Sequence, residues 1–431
     1  MALGLRRNAA WALVGQLVFA ACHWGGLIIL GRLAGPEELG RYALALAVVT
    51  PIMLFGGLQM RELQVADAKQ RHAFEDYFAV RLAGTVLAGT IVLAVALLGY
   101  SWQVGLPILL VGLSRAFESL SHAHYGMAHR HKRLDLVAQS MMLRGVLGLL
   151  ALGLGYYLTR DLGIGLTGIA VAWGLVWWLF DRPMTKRWRD PFDSRRAWRS
   201  SLRRRLDLAW TALPLGMALM LVTLNPNVPR YFIEAMFGLG ALGLFTAMAQ
   251  FVIAGRMLIT AACQAAFPRL ADLYATGEVA AFRLLLLRLV GVSILPGLLG
   301  LMIAVAFGRE LLGLVYGPQF AGAADVFPWI MLVGVVLYAQ TPFGYGLTAM
   351  HQFRVQPVIF GSGVAVNVAG CVALIPPYGL LGATGSWLAA VACLFLLSLY
   401  VHWRCLRRPA EGKAVTPTAP DLPGVQGRRG S

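Results

Sequence analysis

Three arginines lie well inside long apolar segments, where a charge is costly. They are Arg115, Arg144 and Arg256. A charged side chain at the centre of a membrane costs at least about 2.5 kcal/mol unless it is paired or hydrated, so such residues face the interior of a bundle or a water-filled cavity. The planar arginine fork makes paired hydrogen bonds to phosphate oxygens. The chemistry that these residues could do is therefore to hold an anionic group inside a hydrated cavity.

Two of these arginines begin polar helix faces. Glu118 follows Arg115 by one helical turn and His122 follows by one more, so the three side chains share a face. This face either lines a cavity or holds a self-contained ion pair. On the second face, Arg256, Thr260 and Gln264 follow one another at four-residue intervals, and Gln250 falls near the Gln264 side of the helix. We expect the second face to line the cavity; a purely structural hydrogen-bonding role is the alternative. Arg144 either lines the cavity as well or extends toward the membrane surface.

The other arginines beside apolar segments are expected nearer to the membrane surfaces. Arg81 and Arg288 lie close to segment ends, where long basic side chains reach the headgroups. Three more are expected at the outer mouth of the cavity, namely Arg32, Arg41 and Arg230. The four histidines at positions 122, 124, 129 and 131 indicate an interfacial basic patch rather than a metal site, because only Glu118 could complete a ligand set. The five cysteines form no CxxC pair, and neither a metal nor a cofactor is expected.

Membrane helices must position these residues. Of 431 residues, 58% are hydrophobic and 13% are charged, whereas a soluble domain carries about 25% charged residues. A spanning helix needs about 20 apolar residues. Twelve such segments occur, at 10–31, 39–60, 79–99, 103–125, 137–158, 163–180, 208–225, 239–265, 284–307, 325–347, 356–375 and 379–402. The sequence therefore predicts an all-α membrane protein with about twelve transmembrane helices, and it excludes a disordered chain, a coiled coil and a disulfide scaffold.

The basic residues indicate the topology. If the N-terminus is cytoplasmic, 26 Lys and Arg residues flank the spans on the cytoplasmic side and 5 flank them on the other. Because Lys and Arg collect in cytoplasmic loops, this bias predicts that both termini are cytoplasmic. It also accounts for most of the net charge of +17, so no nucleic-acid partner is expected.

Two short patterns recur in the same order along the chain. Gly40 and Gly243 lie 203 positions apart, and each has a leucine before it and an aromatic residue two positions after it. A Gly-Leu-x-Gly pattern with a later tryptophan occurs at 165–173 and again 214 positions later. These matches predict a duplicated six-helix unit, with both copies in the same orientation and a cavity between them. The expected parts are an N-terminal six-helix lobe at 1–181, a cytoplasmic basic linker at 182–207, a C-terminal lobe at 208–408 and a disordered cytoplasmic tail at 409–431.

The linker has the pattern of an amphipathic helix. Trp198, Leu202, Leu206 and Trp210 recur every four residues among many arginines. Such a helix lies on the inner leaflet and binds anionic membrane lipids. We interpret it as a topology anchor; recruitment of an acidic lipid-linked molecule is the alternative.

Three segments resemble a known family. The stretches 31–42 (GRLAGPEELGRY), 227–234 (NVPRYFIE) and 264–271 (QAAFPRLA) are similar to loops and helix ends of polysaccharide flippases in the multidrug/oligosaccharidyl-lipid/polysaccharide (MOP) exporter superfamily. The resemblance extends over all twelve spans. Many relatives have an acidic residue before the arginine that matches Arg230; here Pro229 stands there, so any role of that acid does not carry over.

The resemblance implies a MATE-like fold with two six-helix lobes forming a V around a central cavity. It also implies a transporter rather than an enzyme. Relatives move undecaprenyl-diphosphate-linked oligosaccharide, for O-antigen, capsule or exopolysaccharide, from the inner to the outer leaflet of the bacterial inner membrane by alternating access. The implied partners are this lipid-linked oligosaccharide and the proteins that polymerise and assemble polysaccharide.

Two other functions compete with this interpretation. A multidrug exporter of the same superfamily would need buried carboxylates, yet the first span has none. A membrane ligase or polymerase of lipid-linked glycans would need a large external loop, and the longest predicted loop is cytoplasmic. The chain also lacks the GxxxxGK[ST] pattern of P-loop ATPases.

Overall fold

The computed structural model describes residues 4–67, 72–188, 202–352 and 355–407, and over these ranges the regular structure is helical throughout. The first half contains α1 (Leu5–Ala34), α2 (Pro36–Gly57), the short α3 (Met60–Ala66), α4 (Phe74–Gly99), α5 (Trp102–Arg130), α6 (Leu134–Thr159) and α7 (Leu162–Val176). A π-helical turn (Trp177–Asp181) follows α7. The second half contains α8 (Leu202–Leu224), α9 (Val228–Ala275), α10 (Val279–Tyr316), α11 (Phe327–Ala349) and α12 (Gln356–Arg407).

Two helical stretches are too long for a single crossing. Residues 202–275 and 356–406 run for 74 and 51 residues, which is about 110 and 75 Å of helix against a hydrocarbon core of about 30 Å. α12 doubles back at Gly379, which has φ 57°, and the Sγ of Cys371 then lies 3.1 Å from the Oγ of Ser386. In α9 the chain departs from helical geometry at Gly238, with φ 79°. The predicted all-α architecture of about twelve crossings is confirmed.

The helices pack as two bundles. In the first, α1 packs on α6, α6 on α7, and α5 on α2, α4 and α7; in the second, α11 packs on α9, α10 and α12. The bundles meet mainly through α2 and α9, and α8 adds contacts with α2 and α4. A buried apolar cluster extends through both bundles, while leucine and valine side chains on the outer helix faces remain exposed, as a hydrocarbon solvent requires.

Equivalent glycines of the two halves meet where α2 crosses α9. Gly35 and Gly238 adopt the same backbone conformation, with φ 84° and ψ −173° at the first and φ 79° and ψ −178° at the second. Five positions later in each half, Gly40 and Gly243 lie at the contact. A Cβ on Gly40 would strike the carbonyl group of Leu239, and a Cβ on Gly243 would strike that of Pro36. The two contacts are related by the same 203-residue offset, so the crossing has approximate two-fold symmetry. This symmetry supports a duplicated unit.

Further contacts close the bundles at the end that carries Gly35, here called the Gly35 end. The Nε1 of Trp24 donates to the hydroxyl of Tyr316 at 2.8 Å, and Arg32 donates to the carbonyl oxygens of Leu314 and Val315. At the opposite end the direct contacts come from α8, whose Arg205 pairs with Asp76 of α4 at 3.1 Å. The two lobes are therefore joined by α1, α2, α9 and α10 at the Gly35 end.

The predicted linker is only partly visible. Residues 189–201 and the tail from 408 onward lie outside the described residues, so the predicted surface helix and tail stay predictions. Leu202, Leu206 and Trp210 are exposed and belong to α8, which continues without interruption through Pro214. Over the described residues they form the first turns of the seventh crossing.

Candidate functional site

Arg115 and Glu118 form an ion pair within α5. The Nη1 of Arg115 lies 2.6 Å from the Oε2 of Glu118, and each side chain is 18% exposed. The guanidinium also lies 5.5 Å from the ring centroid of Trp173 on α7. Because both charges belong to one helix, the pair does not lock two helices together. Its partial exposure leaves the face accessible, which is what the prediction of a cavity-lining face requires.

Arg144 lies inside the N-terminal lobe. It is 2% exposed and pairs with the buried Asp181 at 2.9 Å, and its Nη2 donates to the hydroxyl of Tyr125 at 2.7 Å. It also borders a cavity of about 30 Å³ together with Tyr42 and Trp173. Of the two alternatives for Arg144, extension toward the membrane surface does not fit this burial, and the charge is compensated within the lobe.

Asp181 was not recognised from the sequence. It ends the π-helical turn, a geometry that often marks functional sites, and it lies 37 positions from its partner. The only signal in the sequence is a carboxylate at the end of an apolar segment, which usually indicates an interfacial residue. The widened turn carries this carboxylate inward to Arg144.

Arg81 and Arg230 are buried without a carboxylate. Arg81 is 5% exposed and donates from its Nε to the Oγ of Ser119 at 3.3 Å, so the prediction that it extends to the headgroups is wrong. Arg230 is 8% exposed, and its Nη1 donates to the Oδ1 of Asn227 at 3.0 Å. Across the described ranges, no carboxylate lies within 4 Å of either guanidinium. Neither arginine therefore has a direct ion-pair partner, and Arg81 is influenced by Glu62 and Glu118 only from a greater distance.

Several of these charged groups lie within electrostatic reach of one another. His23 of α1 is within electrostatic reach of Arg115, Glu118 and Arg230, and Glu118 is within reach of Arg144. Of the four buried or half-buried guanidinium groups, at 81, 115, 144 and 230, two form direct ion pairs, Arg115 with Glu118 and Arg144 with Asp181. Since both of these carboxylates are paired and Arg81 and Arg230 are not, the buried arginines favour an anionic ligand over a cationic one.

The face that begins at Arg256 lies beside α11. Arg256 is half-buried and lies within electrostatic reach of the hydroxyl groups of Tyr338 and Tyr345. The Gln264 side chain lies near the Tyr345 hydroxyl. Thr260 and Gln250 are half-buried and Gln264 is exposed. The predicted face thus forms, with α11, a polar wall in which Arg256 has no acidic partner among the described residues.

Arg32 and Arg41 lie at the Gly35 end but already have partners. Arg32 donates to carbonyl oxygens at the end of α10, and Arg41 pairs with both Glu37 and Glu38 of its own helix. Arg230, expected beside them, is buried instead. Of the three, only Arg32 makes a side-chain contact with the other lobe, and their predicted role in binding stays a prediction.

The histidines do not converge. His124 hydrogen-bonds the hydroxyl of Thr185 at 2.9 Å, and the ring of His131 stacks on Trp188 at 4.7 Å. The part of the chain that the structure describes contains no group of three or more His, Cys, Asp or Glu residues that could hold a metal ion. Arginines and neutral polar side chains are therefore the groups available for ligand binding.

Known structures share this fold over most of the chain. An inward-facing multidrug resistance MATE family transporter of the MOP superfamily is similar with a TM-score of 0.69 and 16% identity, over 92% of this chain and 98% of that one. The lipid II flippase MurJ, in an inward closed conformation, is similar with a TM-score of 0.67 and 11% identity, over 91% and 90% of the two chains. The predicted V of two six-helix lobes is confirmed.

Sequence comparison identifies the family. The capsular polysaccharide biosynthesis protein CapF of Staphylococcus aureus is 24% identical over 380 residues, which is 88% of this chain and 94% of CapF. The sequence profile described as polysaccharide biosynthesis protein matches residues 5–274. Because that profile spans more than half of the chain, the protein is a multi-pass membrane protein of the polysaccharide biosynthesis protein family, with the fold of the MOP superfamily.

Proposed function

We propose that this protein is a flippase for undecaprenyl-diphosphate-linked oligosaccharide. It would carry a repeat unit of O-antigen, capsule or exopolysaccharide from the inner to the outer leaflet of the bacterial inner membrane. The family and the likeness to CapF support a role in polysaccharide biosynthesis. The likeness to a lipid flippase and to exporters supports the transporter fold.

The observation that carries the proposal is the excess of buried arginine over carboxylate. Arg81 and Arg230 are buried without acidic partners, which is costly in a membrane unless an anion compensates them. A diphosphate supplies oxygen acceptors that match the arginine fork. The partly exposed Arg115 offers a point of contact, while the lipid tail remains in the bilayer.

The closed Gly35 end supports alternating access. Trp24, Arg32 and the Gly40–Gly243 crossing join the lobes there, so substrate would enter from the opposite end. By the distribution of basic residues we assign the Gly35 end to the outer side, with both termini cytoplasmic. Transport would then require the contacts at the Gly35 end to separate.

The competing functions fit the site less well. A multidrug exporter for cationic compounds would need an accessible carboxylate, but Glu118 and Asp181 are both paired with arginines. A ligase or polymerase would need an external domain, and the described connections at the Gly35 end are short, the longest being the 3-10 segment Pro318–Ala323 with its flanks.

A reconstituted flipping assay tests the proposal. Proteoliposomes would receive undecaprenyl diphosphate carrying a fluorescent disaccharide, and transfer between leaflets would be followed by quenching. Loss of one charge-assisted hydrogen bond costs about 1.5–3 kcal/mol, so we expect Arg115→Gln and Arg230→Gln to slow transfer by about 10- to 100-fold. Arg288→Gln, at an exposed position of α10, is the matched control. Absence of transfer by the wild-type protein, or equal rates in all variants, would refute the proposal.

A further inference from the structure

The two lobes offer different chemistry to a ligand. The N-terminal lobe gathers Arg81, Arg115 and Arg144 around two carboxylates. In the C-terminal lobe, α9 and α11 present a surface whose polar groups are neutral apart from one arginine. We call this surface the α9–α11 wall, and it consists of Arg256, Thr260, Gln264 and Tyr345. A ligand that spans both lobes would therefore place its charged part against the N-terminal lobe and its neutral part against the α9–α11 wall.

The hydrogen-bonding groups of the α9–α11 wall suit hydroxyl groups. An amide side chain has two donor hydrogens and an oxygen that accepts, and a phenol both donates and accepts. Gln264 is exposed and lies near the half-buried Tyr345, so the amide and the phenol together offer donors and acceptors to a ligand. Such paired amide and hydroxyl groups match the alternating donors and acceptors of a sugar ring.

An aromatic surface accompanies these polar groups. The rings of Phe267 and Tyr345 meet edge to face, with centroids 6.2 Å apart and an interplanar angle of 66°, and both side chains are only half-buried. Their faces offer apolar area for the C–H face of a sugar. The neighbouring Tyr338 is buried, and its hydroxyl donates to the carbonyl of Val252 at 2.8 Å, so it supports the wall from behind.

The wall lies on the half of α9 that leads away from the lobe crossing. At about 1.5 Å per residue, Arg256 lies about 20 Å and Gln264 about 32 Å along the helix from Gly243. The wall thus begins deep in the protein and ends toward the end where the two lobes are not joined by α9. A group entering from that end would meet Gln264 first.

We infer that the α9–α11 wall is a subsite for an uncharged glycan, while the N-terminal arginines hold the anionic linker of the same molecule. This inference rests on the proposed function. It assigns to Gln264, Thr260 and Tyr345 the recognition of sugar hydroxyls and to Arg256 the junction between the neutral and the anionic part.

Two lipids distinguish the glycan from the linker. We would measure the affinity of the full-length protein in nanodiscs for undecaprenyl diphosphate and for the same lipid carrying an N-acetylglucosamine disaccharide. The variants are Tyr345→Phe, which keeps the ring, and Gln264→Leu. The matched control is Tyr157→Phe, at an exposed position of α6.

The subsite predicts a selective loss. Tyr345→Phe and Gln264→Leu should each bind the glycosylated lipid about five- to tenfold more weakly, as expected for one lost hydrogen bond. Both should bind undecaprenyl diphosphate as the wild type does. Equal weakening for both lipids, no weakening for either, or a wild-type protein that does not distinguish the two lipids would overturn the subsite. A wild-type protein that binds neither lipid would instead contradict the proposed function.

Discussion

The crossing of α2 and α9 allows a sharp test of how the two halves fit together. A Cβ on Gly40 would lie 2.7 Å from the carbonyl carbon of Leu239, and a Cβ on Gly243 would lie 2.7 Å from that of Pro36. Both distances are below any real Cβ contact, and the obstructing atoms are backbone. Alanine at either position must therefore push the two helices apart.

The expected cost follows from this geometry. Overpacking by one methyl group typically costs about 1–3 kcal/mol, and we expect each of Gly40→Ala and Gly243→Ala to lower the free energy of unfolding by that amount. Because one separation of the helices relieves both contacts, the double variant should lose less than the sum of the two. Coupling between touching residues is typically about 0.5–3 kcal/mol.

Gly240→Ala is the matched control. Gly240 lies on the same helix, three positions before Gly243, and a Cβ there has no neighbour within 4 Å. Since alanine favours helix over glycine by up to about 1 kcal/mol, this variant should be neutral or more stable. Titration with SDS in mixed micelles, followed by tryptophan fluorescence, measures the free energy of unfolding of the wild type, the two single variants, the double variant and the control. If Gly40→Ala and Gly243→Ala matched the control, or if their costs were fully additive, the shared crossing would be refuted.

Two further predictions concern the buried ion pair and the topology. Asp181→Ala leaves Arg144, which is 2% exposed, without its carboxylate, and should lower the free energy of unfolding in the same titration by about 3–5 kcal/mol; Arg144→Met with Asp181→Leu should recover most of this loss, and a double variant no more stable than Asp181→Ala would contradict the reasoning. A reporter that is active only in the periplasm should be silent when it is fused after residue 190, because the basic residues around that position predict a cytoplasmic side, and activity there would reverse the assignment of the Gly35 end.

The helices and their polar faces were predictable because they depend on local chemistry. Hydrocarbon length dictates about 20 apolar residues per crossing, and helical periodicity places Arg115 beside Glu118, which the structure shows at 2.6 Å. The same periodicity groups Arg256 with Gln264. The break before Pro36 is equally local, since Gly35 accepts a positive φ and proline suits the first turn of α2.

The partners of the buried charges were not predictable in this way. Arg81 was expected at the headgroups, yet it bonds Ser119, 38 positions away, and Arg144 pairs with Asp181 across two helices. A periodic pattern indicates which side of a helix is polar, but it carries no information about which neighbour that side meets. Arg81 lies about 10 Å from the start of α4, a depth that is compatible with reaching the headgroups and with burial inside the lobe.

The sequence by itself determined that this is a membrane protein with about twelve crossings. It also determined that charges inside apolar segments must be paired or hydrated. Apolar length, the period of the helix and the bias of basic residues are properties of short segments, so they can be read without a fold. Only the tertiary structure decided which arginines are compensated. Glu118 and Asp181 pair with Arg115 and Arg144, while Arg81 and Arg230 have no carboxylate within ion-pair distance among the described residues. The reason is that electrostatic compensation depends on distances of a few ångströms, which the fold sets between residues that are often far apart in the chain.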